Sequence, residues 1–145
     1  PLMQDIDALI EAVSADSPTP GRLAALVAHD WGGALAWGFS ARHPQRLARL
    51  VILNAPHPLP FQRELAQSPA QQAASAYMNF LARPDAPALL AENDFARLWP
   101  FFTAFAAQGT APAEPAWLDD TMRERYRAVW RQGLQGGCNY YAASP

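Results

Sequence analysis

The stretch Leu26-Val27-Ala28-His29-Asp30-Trp31-Gly32-Gly33-Ala34-Leu35-Ala36 constrains this chain more than any other. An apolar run over 23–28 stops at charged residues. Two glycines follow, and then a run with helical periodicity. That order predicts a strand, a tight turn and a helix. The turn must be sharp enough to hold Asp30 in a strained backbone conformation with its side chain projecting. The small residues Ala28, Gly32 and Gly33 would let strand and helix approach without clashing. The following helix brings free N–H groups and partial positive charge beside the carboxylate. A plainer role for the same residue is a helix N-cap, since Asp accepts N–H bonds well at that position.

The pattern small-x-acid-x-Gly at such a bend has the physics of a nucleophile elbow, with Asp where esterases carry Ser. A carboxylate needs no base to make it nucleophilic. It can attack carbon directly and form an ester.

A chain of 145 residues is enough for one modest domain, and half of its residues are hydrophobic, including five Trp. The net charge is −2 with no basic block, which argues against a nucleic-acid partner. No apolar run reaches the roughly 20 residues that span a bilayer, so no membrane segment is predicted. The first residue is Pro1 and no signal-peptide pattern follows. The single cysteine, Cys138, leaves no internal disulfide to form, which fits a cytoplasmic location. A buried or incidental thiol is its expected role.

Periodicity predicts an amphipathic helix over 3–13 through Ile6, Leu9, Ile10 and Val13. A loop follows over 14–21. Buried strands are predicted at 23–28 and 47–53, with a helix over 32–43 between them that ends near Pro44. Strand, helix and strand within about thirty residues make a βαβ unit. Asp30 ends its first strand and Asn54-Ala55-Pro56-His57-Pro58 ends its second, so both should face the crevice where such sheets hold ligands. Beyond residue 58 no strand-like run remains. Helical patterns at 61–67, 70–81, 86–92, 94–107 and 118–132 alternate with proline breaks, a long loop is expected over 108–115, and 133–137 reads as a flexible lead into Asn139-Tyr140-Tyr141. The expected division is therefore 1–58 as a partial α/β core and 59–145 as a helical cap, or lid. Two parallel strands are too few for a sheet of this class, so an interior piece of a longer protein is expected. Open strand edges favour aggregation or assembly, which makes a homo-oligomer one expectation.

His-Asp-Trp-Gly-Gly at 29–33, Arg-His-Pro at 42–44 and Leu-Val-Ile-Leu-Asn-Ala-Pro-His-Pro at 50–58 together resemble the α/β-hydrolase fold. The segment with Tyr77, Phe80 and Pro84 and the later Gly-Gly-Cys-Asn-Tyr-Tyr at 136–141 narrow the likeness to the soluble epoxide hydrolase branch and its cap domain. The resemblance implies an α/β fold with a parallel βαβ unit and a helical cap, acting on an apolar small-molecule epoxide, with no cofactor and no metal. It implies Asp30 as nucleophile, the Trp31 backbone N–H as half of an oxyanion hole, and Tyr77 and Tyr141 as cap tyrosines that donate to the epoxide oxygen. Tyr140 competes with Tyr141 for the second of these places. Opening an epoxide leaves an alkoxide, and two phenols can stabilise it or give it a proton. An ordinary half-buried aromatic is the plainer role for each tyrosine.

Two departures stand out. Ala28 replaces the usual Gly and Ala142 replaces a frequent Arg. The family's His-Gly oxyanion motif, catalytic His and orienting acid have no counterpart in these 145 residues, so this piece alone should be inactive or alkylate once at Asp30. His29 should brace the bend, His43 should meet terminal carbonyls of its helix, and His57 should be structural or line the crevice; none is expected to be a general base. Phe80, Trp99, Phe101, Phe102, Phe105 and Trp117 suggest an apolar pocket, although at helical spacing they suit a core. Two alternatives stay open. One is a haloalkane dehalogenase-type hydrolase, whose halide the Trp31 indole would hold. The other is a non-catalytic interaction module.

Overall fold

The computed structural model describes residues 2–103 and 115–144. In chain order the elements are α1 (Leu2–Ser14), β1 (Leu26–His29), α2 (Asp30–Arg42), a short 3-10 turn (Pro44–Arg46), β2 (Leu50–Leu53), α3 (Pro58–Gln67), α4 (Pro69–Ala74), α5 (Ala76–Leu81), α6 (Ala86–Phe95), α7 (Pro100–Thr103), α8 (Asp120–Trp130) and α9 (Gln135–Ala142). They fall into two compact units, Pro1–Gln72 and Ala73–Pro145.

In the first unit β1 and β2 pair in parallel, with Leu26 opposite Leu50 and Ala28 opposite Ile52. An isolated bridge joins Leu23 to Leu47 further back. The strands are shorter than the apolar runs at 23–28 and 47–53, because the ladder breaks between this bridge and the paired segment. Side chains alternate across a strand. Leu26 and Leu50 pack with Leu23, Met3 and Ile6 against buried Ile10, Phe39 and Leu47. The opposite face carries Val27, Val51 and Leu53, which remain 61%, 42% and 49% exposed. The strands predicted as buried are thus half-exposed among the described residues.

Polar bonds fix α1 beside the turn before β2. Arg46, its side chain mostly covered, reaches Asp7 at 2.9 Å and Glu11 at 2.6 Å. Its guanidinium is held above the ordinary arginine range, chiefly by the hydrogen bond to Glu11. Buried Ser14 donates its hydroxyl to the Ile10 carbonyl at 2.6 Å and accepts the Gly21 N–H at 2.8 Å. Gly21 has a φ of 73°, a conformation that suits glycine.

Beyond β2 every regular element among the described residues is a helix, and two predicted helices differ from what forms. The run over 70–81 breaks at Ser75, with φ −95° and ψ 0°, into α4 and α5. In the run over 94–107, only α7 is regular among the described residues. Pro100 opens it and disfavours helical backbone at Trp99. Residues 104–107, and 108–114 of the expected loop, lie outside the described residues, as does Phe105. The segment over 133–137 is no simple connector, since α9 begins at Gln135 and takes in Gly136 and Gly137. Buried Cys138 one turn on anchors that helix, and such packing overrides weak glycine propensity. The core of the second unit is Leu81, Ala86, Leu90 and Cys138, against which Phe80, Leu98, Phe101, Leu134 and Tyr141 pack. Burial pushes the Cys138 thiol above its usual pKa, as suits an inert structural cysteine. Among the described residues no helix is long and apolar enough to cross a membrane.

Candidate functional site

Asp30 stands where β1 becomes α2, with a φ of 52°. That is left-handed backbone, which Asp tolerates better than most residues. An N-cap residue has extended backbone and bonds the N–H two or three residues on. Extended backbone belongs instead to His29, with φ −128° and ψ 145°, whose side chain makes no cap bond. The Asp30 side chain is exposed, and its Oδ2 accepts the N–H of the next residue, Trp31, at 2.7 Å. The carboxylate is therefore held by one oxygen at the first amide of a helix.

The glycines that follow are not equivalent. A Cβ on Gly33 would lie 2.5 Å from the Ala55 Cβ and 3.2 Å from the Ile52 Cγ2. Gly33 is thus a point of close approach between α2 and the end of β2. A Cβ on Gly32 would meet nothing within 4 Å, so the close approach expected of both glycines rests on Gly33 alone.

At the end of β2, Asn54 also has left-handed backbone, with φ 52°. Trp37 of α2 donates its indole N–H to the Ala55 carbonyl at 3.3 Å, and its ring meets the edge of His57 at 4.9 Å. His57 Nδ1 accepts the Leu59 N–H at 3.3 Å and so caps α3. His57, Leu59, Pro60 and Arg63 line an open hollow of about 480 Å³. His57 thus has a structural role at the start of α3 and also borders this open hollow. His43 differs from expectation. Its ring packs on Phe39 at 4.9 Å, and its backbone N–H, not its side chain, reaches the Phe39 carbonyl.

Tyr77 of α5 and Tyr141 of α9 lie in the second unit, and their rings meet edge to face at 6.1 Å. Tyr141 packs against the core there, whereas Tyr140 is exposed. The structure thus brings together Asp30 with Trp31 in one unit and Tyr77 with Tyr141 in the other. Phe101 touches Tyr77 edge to face at 5.7 Å. The sequence offers Phe101 as a pocket or core aromatic and carries no signal for this contact with Tyr77. Trp99, Phe102 and Trp117 join Tyr126 and Trp130 in an aromatic cluster, in which Trp117 stays 50% exposed. Among the described residues no three His, Cys, Asp or Glu side chains converge as metal ligands do.

A family model described as the alpha/beta hydrolase fold matches residues 5–133. The chain is 33% identical over 123 residues to the AB hydrolase superfamily protein YfhM of Bacillus subtilis, covering 83% of this chain and 41% of that protein. It is 36% identical over 119 residues to Epoxide hydrolase 4 of Homo sapiens, covering 80% and 32%. The crystal structure of an epoxide hydrolase from Bacillus megaterium in complex with an inhibitor superposes with a TM-score of 0.75 at 27% identity, over 97% of this chain and 46% of that one. The chain spans less than half the length of each of these relatives. With a family model covering most of its length and epoxide hydrolases among its relatives in both sequence and structure, this chain belongs to the α/β-hydrolase fold family, on its epoxide hydrolase-like side.

Proposed function

We propose that the chain carries the nucleophile and the cap tyrosines of an epoxide hydrolase acting on apolar epoxides. One observation carries the reading: Asp30 has left-handed backbone at a strand-to-helix bend, with Oδ2 on the Trp31 N–H. Strained backbone of this kind clusters at functional sites. The bond to Oδ2 leaves Oδ1 to act as the nucleophile. Oδ1 attacks an epoxide carbon, the carbon–oxygen bond of the ring breaks, and the departing oxygen takes a proton from Tyr77 or Tyr141. Oδ2 becomes the carbonyl oxygen of the resulting ester. When water attacks that ester carbon, negative charge builds on Oδ2, where the Trp31 N–H already sits. On collapse the ester's alkoxy oxygen leaves with the proton that the base drew from water, and the hydroxyl left on Asp30 gives its proton back to the tyrosinate, which frees the diol and restores the carboxylate. The attacking water needs a general base, which in this reading is a His outside these 145 residues.

The contact between the rings of Tyr77 and Tyr141 supports an epoxide over a halide, since two clustered phenols suit a developing alkoxide. The epoxide hydrolase names among the relatives support the same choice. A cytoplasmic location belongs to this reading and is supported by the single buried thiol.

The direct test is mass spectrometry of the chain incubated with a terminal aryl or alkyl epoxide. A stable adduct mapped to Asp30, and lost in Asp30→Asn, is expected. In a full-length hydrolase carrying this segment, Asp30→Asn should abolish diol formation and Tyr77→Phe should slow ring opening. Wild-type turnover by Asp30→Ala would refute the assignment. Halide release from a haloalkane without any diol formation would favour the dehalogenase chemistry instead.

A further inference from the structure

The stretch from Leu98 to Phe102, which runs from beyond α6 into α7, has two apolar sides. Leu98 and Phe101, three apart, pack on the core that also carries Tyr141. Phe101 also presents its ring to Tyr77 at 5.7 Å and 79°. Trp99 and Phe102, again three apart, turn to the aromatic cluster of α8, with Trp99 4.7 Å from Trp130 and Phe102 4.8 Å from Tyr126. The segment is a strap between α8 and the tyrosine pair.

Trp99 is clamped. Arg123 lies 4.6 Å and Arg127 5.3 Å from its ring, distances at which a guanidinium and an indole attract. Its indole N–H donates to the Asp94 carbonyl at 3.2 Å, and the Asp94 carboxylate pairs with Arg127 at 2.8 Å. Asn93, Asp94 and Phe95 all have left-handed backbone, with φ of 50°, 57° and 62°. Three such residues in succession, one of them a buried Phe, persist only where the surroundings over-determine them.

We propose that Phe101 is a positioning residue for the Tyr77–Tyr141 pair, and that the Arg123, Arg127 and Asp94 clamp on Trp99 sets where Phe101 stands. The inference rests on the reading of Tyr77 as an epoxide donor. A phenol must aim its O–H at the ring oxygen as charge develops, and Tyr77 is 40% exposed, with solvent on much of its surface. The Phe101 ring removes one direction in which that ring could swing. Misplacement of a reacting group by about 1 Å can cost on the order of 100-fold in rate.

The test is a double-mutant cycle on Phe101→Leu and Tyr77→Phe in a full-length hydrolase carrying this segment, read as kcat and KM for ring opening. Phe101→Leu should lower kcat by about 10- to 100-fold with KM little changed, and Phe101→Tyr should restore it. On the Tyr77→Phe background Phe101→Leu should cost much less, because Phe101 meets the pair chiefly through the Tyr77 ring. Equal cost on both backgrounds, or no cost on either, overturns the proposal. If Phe101→Leu does not fold, Phe101→Met takes its place in the cycle. If Tyr77→Phe itself is silent, the reading of Tyr77 fails. The claim about Phe101 is then decided by ring-to-ring nuclear Overhauser contacts between Tyr77 and Tyr141, which Phe101→Leu should weaken and Phe101→Tyr should keep. Unchanged contacts in Phe101→Leu would overturn it on geometry alone.

Discussion

A backbone that turns left-handed at Asp30 must bring the helix after it back onto the strand beside it, and one missing side chain permits this. The Gly33 hydrogen faces the Ala55 methyl and Ile52 across a gap too small for another methyl. Gly33→Ala should therefore destabilise by about 1–3 kcal/mol through overpacking, since the Ala55 Cβ is fixed to its backbone and has no rotamer to yield. Gly32 provides the control. It is helical with open space where a Cβ would go, so Gly32→Ala should be neutral or stabilise by up to about 1 kcal/mol. Urea unfolding midpoints of the two variants separate these outcomes. Equal loss in both would mean that the bend, and not the α2–β2 contact, sets the cost. The sequence motif makes the bend and its acid legible, because two glycines after an apolar run have few other uses. It does not say which glycine is indispensable, since that depends on Ala55, more than twenty residues away.

Elements with one dominant local signal are legible, and those decided by distant partners are not. α1 follows its apolar spacing, and Asp120–Trp130 forms inside the run predicted over 118–132. The left-handed run at 93–95 has no such signal, because Trp99 and Arg127 hold it from elsewhere. The same holds for α9, where glycines argue against a helix that Cys138 and Tyr141 secure by packing. Two predictions belong at this scale. Ser14→Ala removes the hydroxyl that links the end of α1 to Gly21. It should cost about 1–2 kcal/mol, because the Gly21 N–H loses its partner, and a shift in the urea midpoint measures it. At the start of α6, Arg83 holds Asp85 through Nε at 2.7 Å and Nη2 at 2.5 Å. This bond, more than the accompanying attraction between the charges, lowers the Asp85 pKa. A depressed carboxyl contributes stability above its unfolded pKa and loses it as the pH falls through the folded value. Nuclear magnetic resonance titration should find Asp85 below the ordinary carboxylate range. Arg83→Ala should bring it back and flatten that part of the acid dependence. Both groups are exposed, so the stability change itself should be small.

On the scale of the whole molecule, the two-stranded sheet is the feature that governs behaviour in solution. Parallel strands normally lie buried on both faces. Here one face rests on α1 and α2 while Val27, Val51 and Leu53 stand open on the other. Each strand has one neighbour among the described residues, so each also offers unpaired backbone along an edge. Leu59 at 70% exposure adds apolar surface on the helix after β2. Exposed apolar surface beside a free strand edge is a site for association. The 145-residue chain should therefore associate as its concentration rises. A lysine on the open sheet face opposes this by placing a charge that association would have to desolvate, so Val51→Lys should shift the chain toward monomer. Val51 is already 42% exposed, which lets the lysine head reach water while its stem covers the sheet. Folding should thus survive, with an unchanged far-ultraviolet circular dichroism spectrum. Sedimentation velocity over a hundredfold range of concentration measures the outcome. A wild-type chain that stays monomeric throughout, or a Val51→Lys variant that associates as strongly, would mean that the open face is not the contact surface.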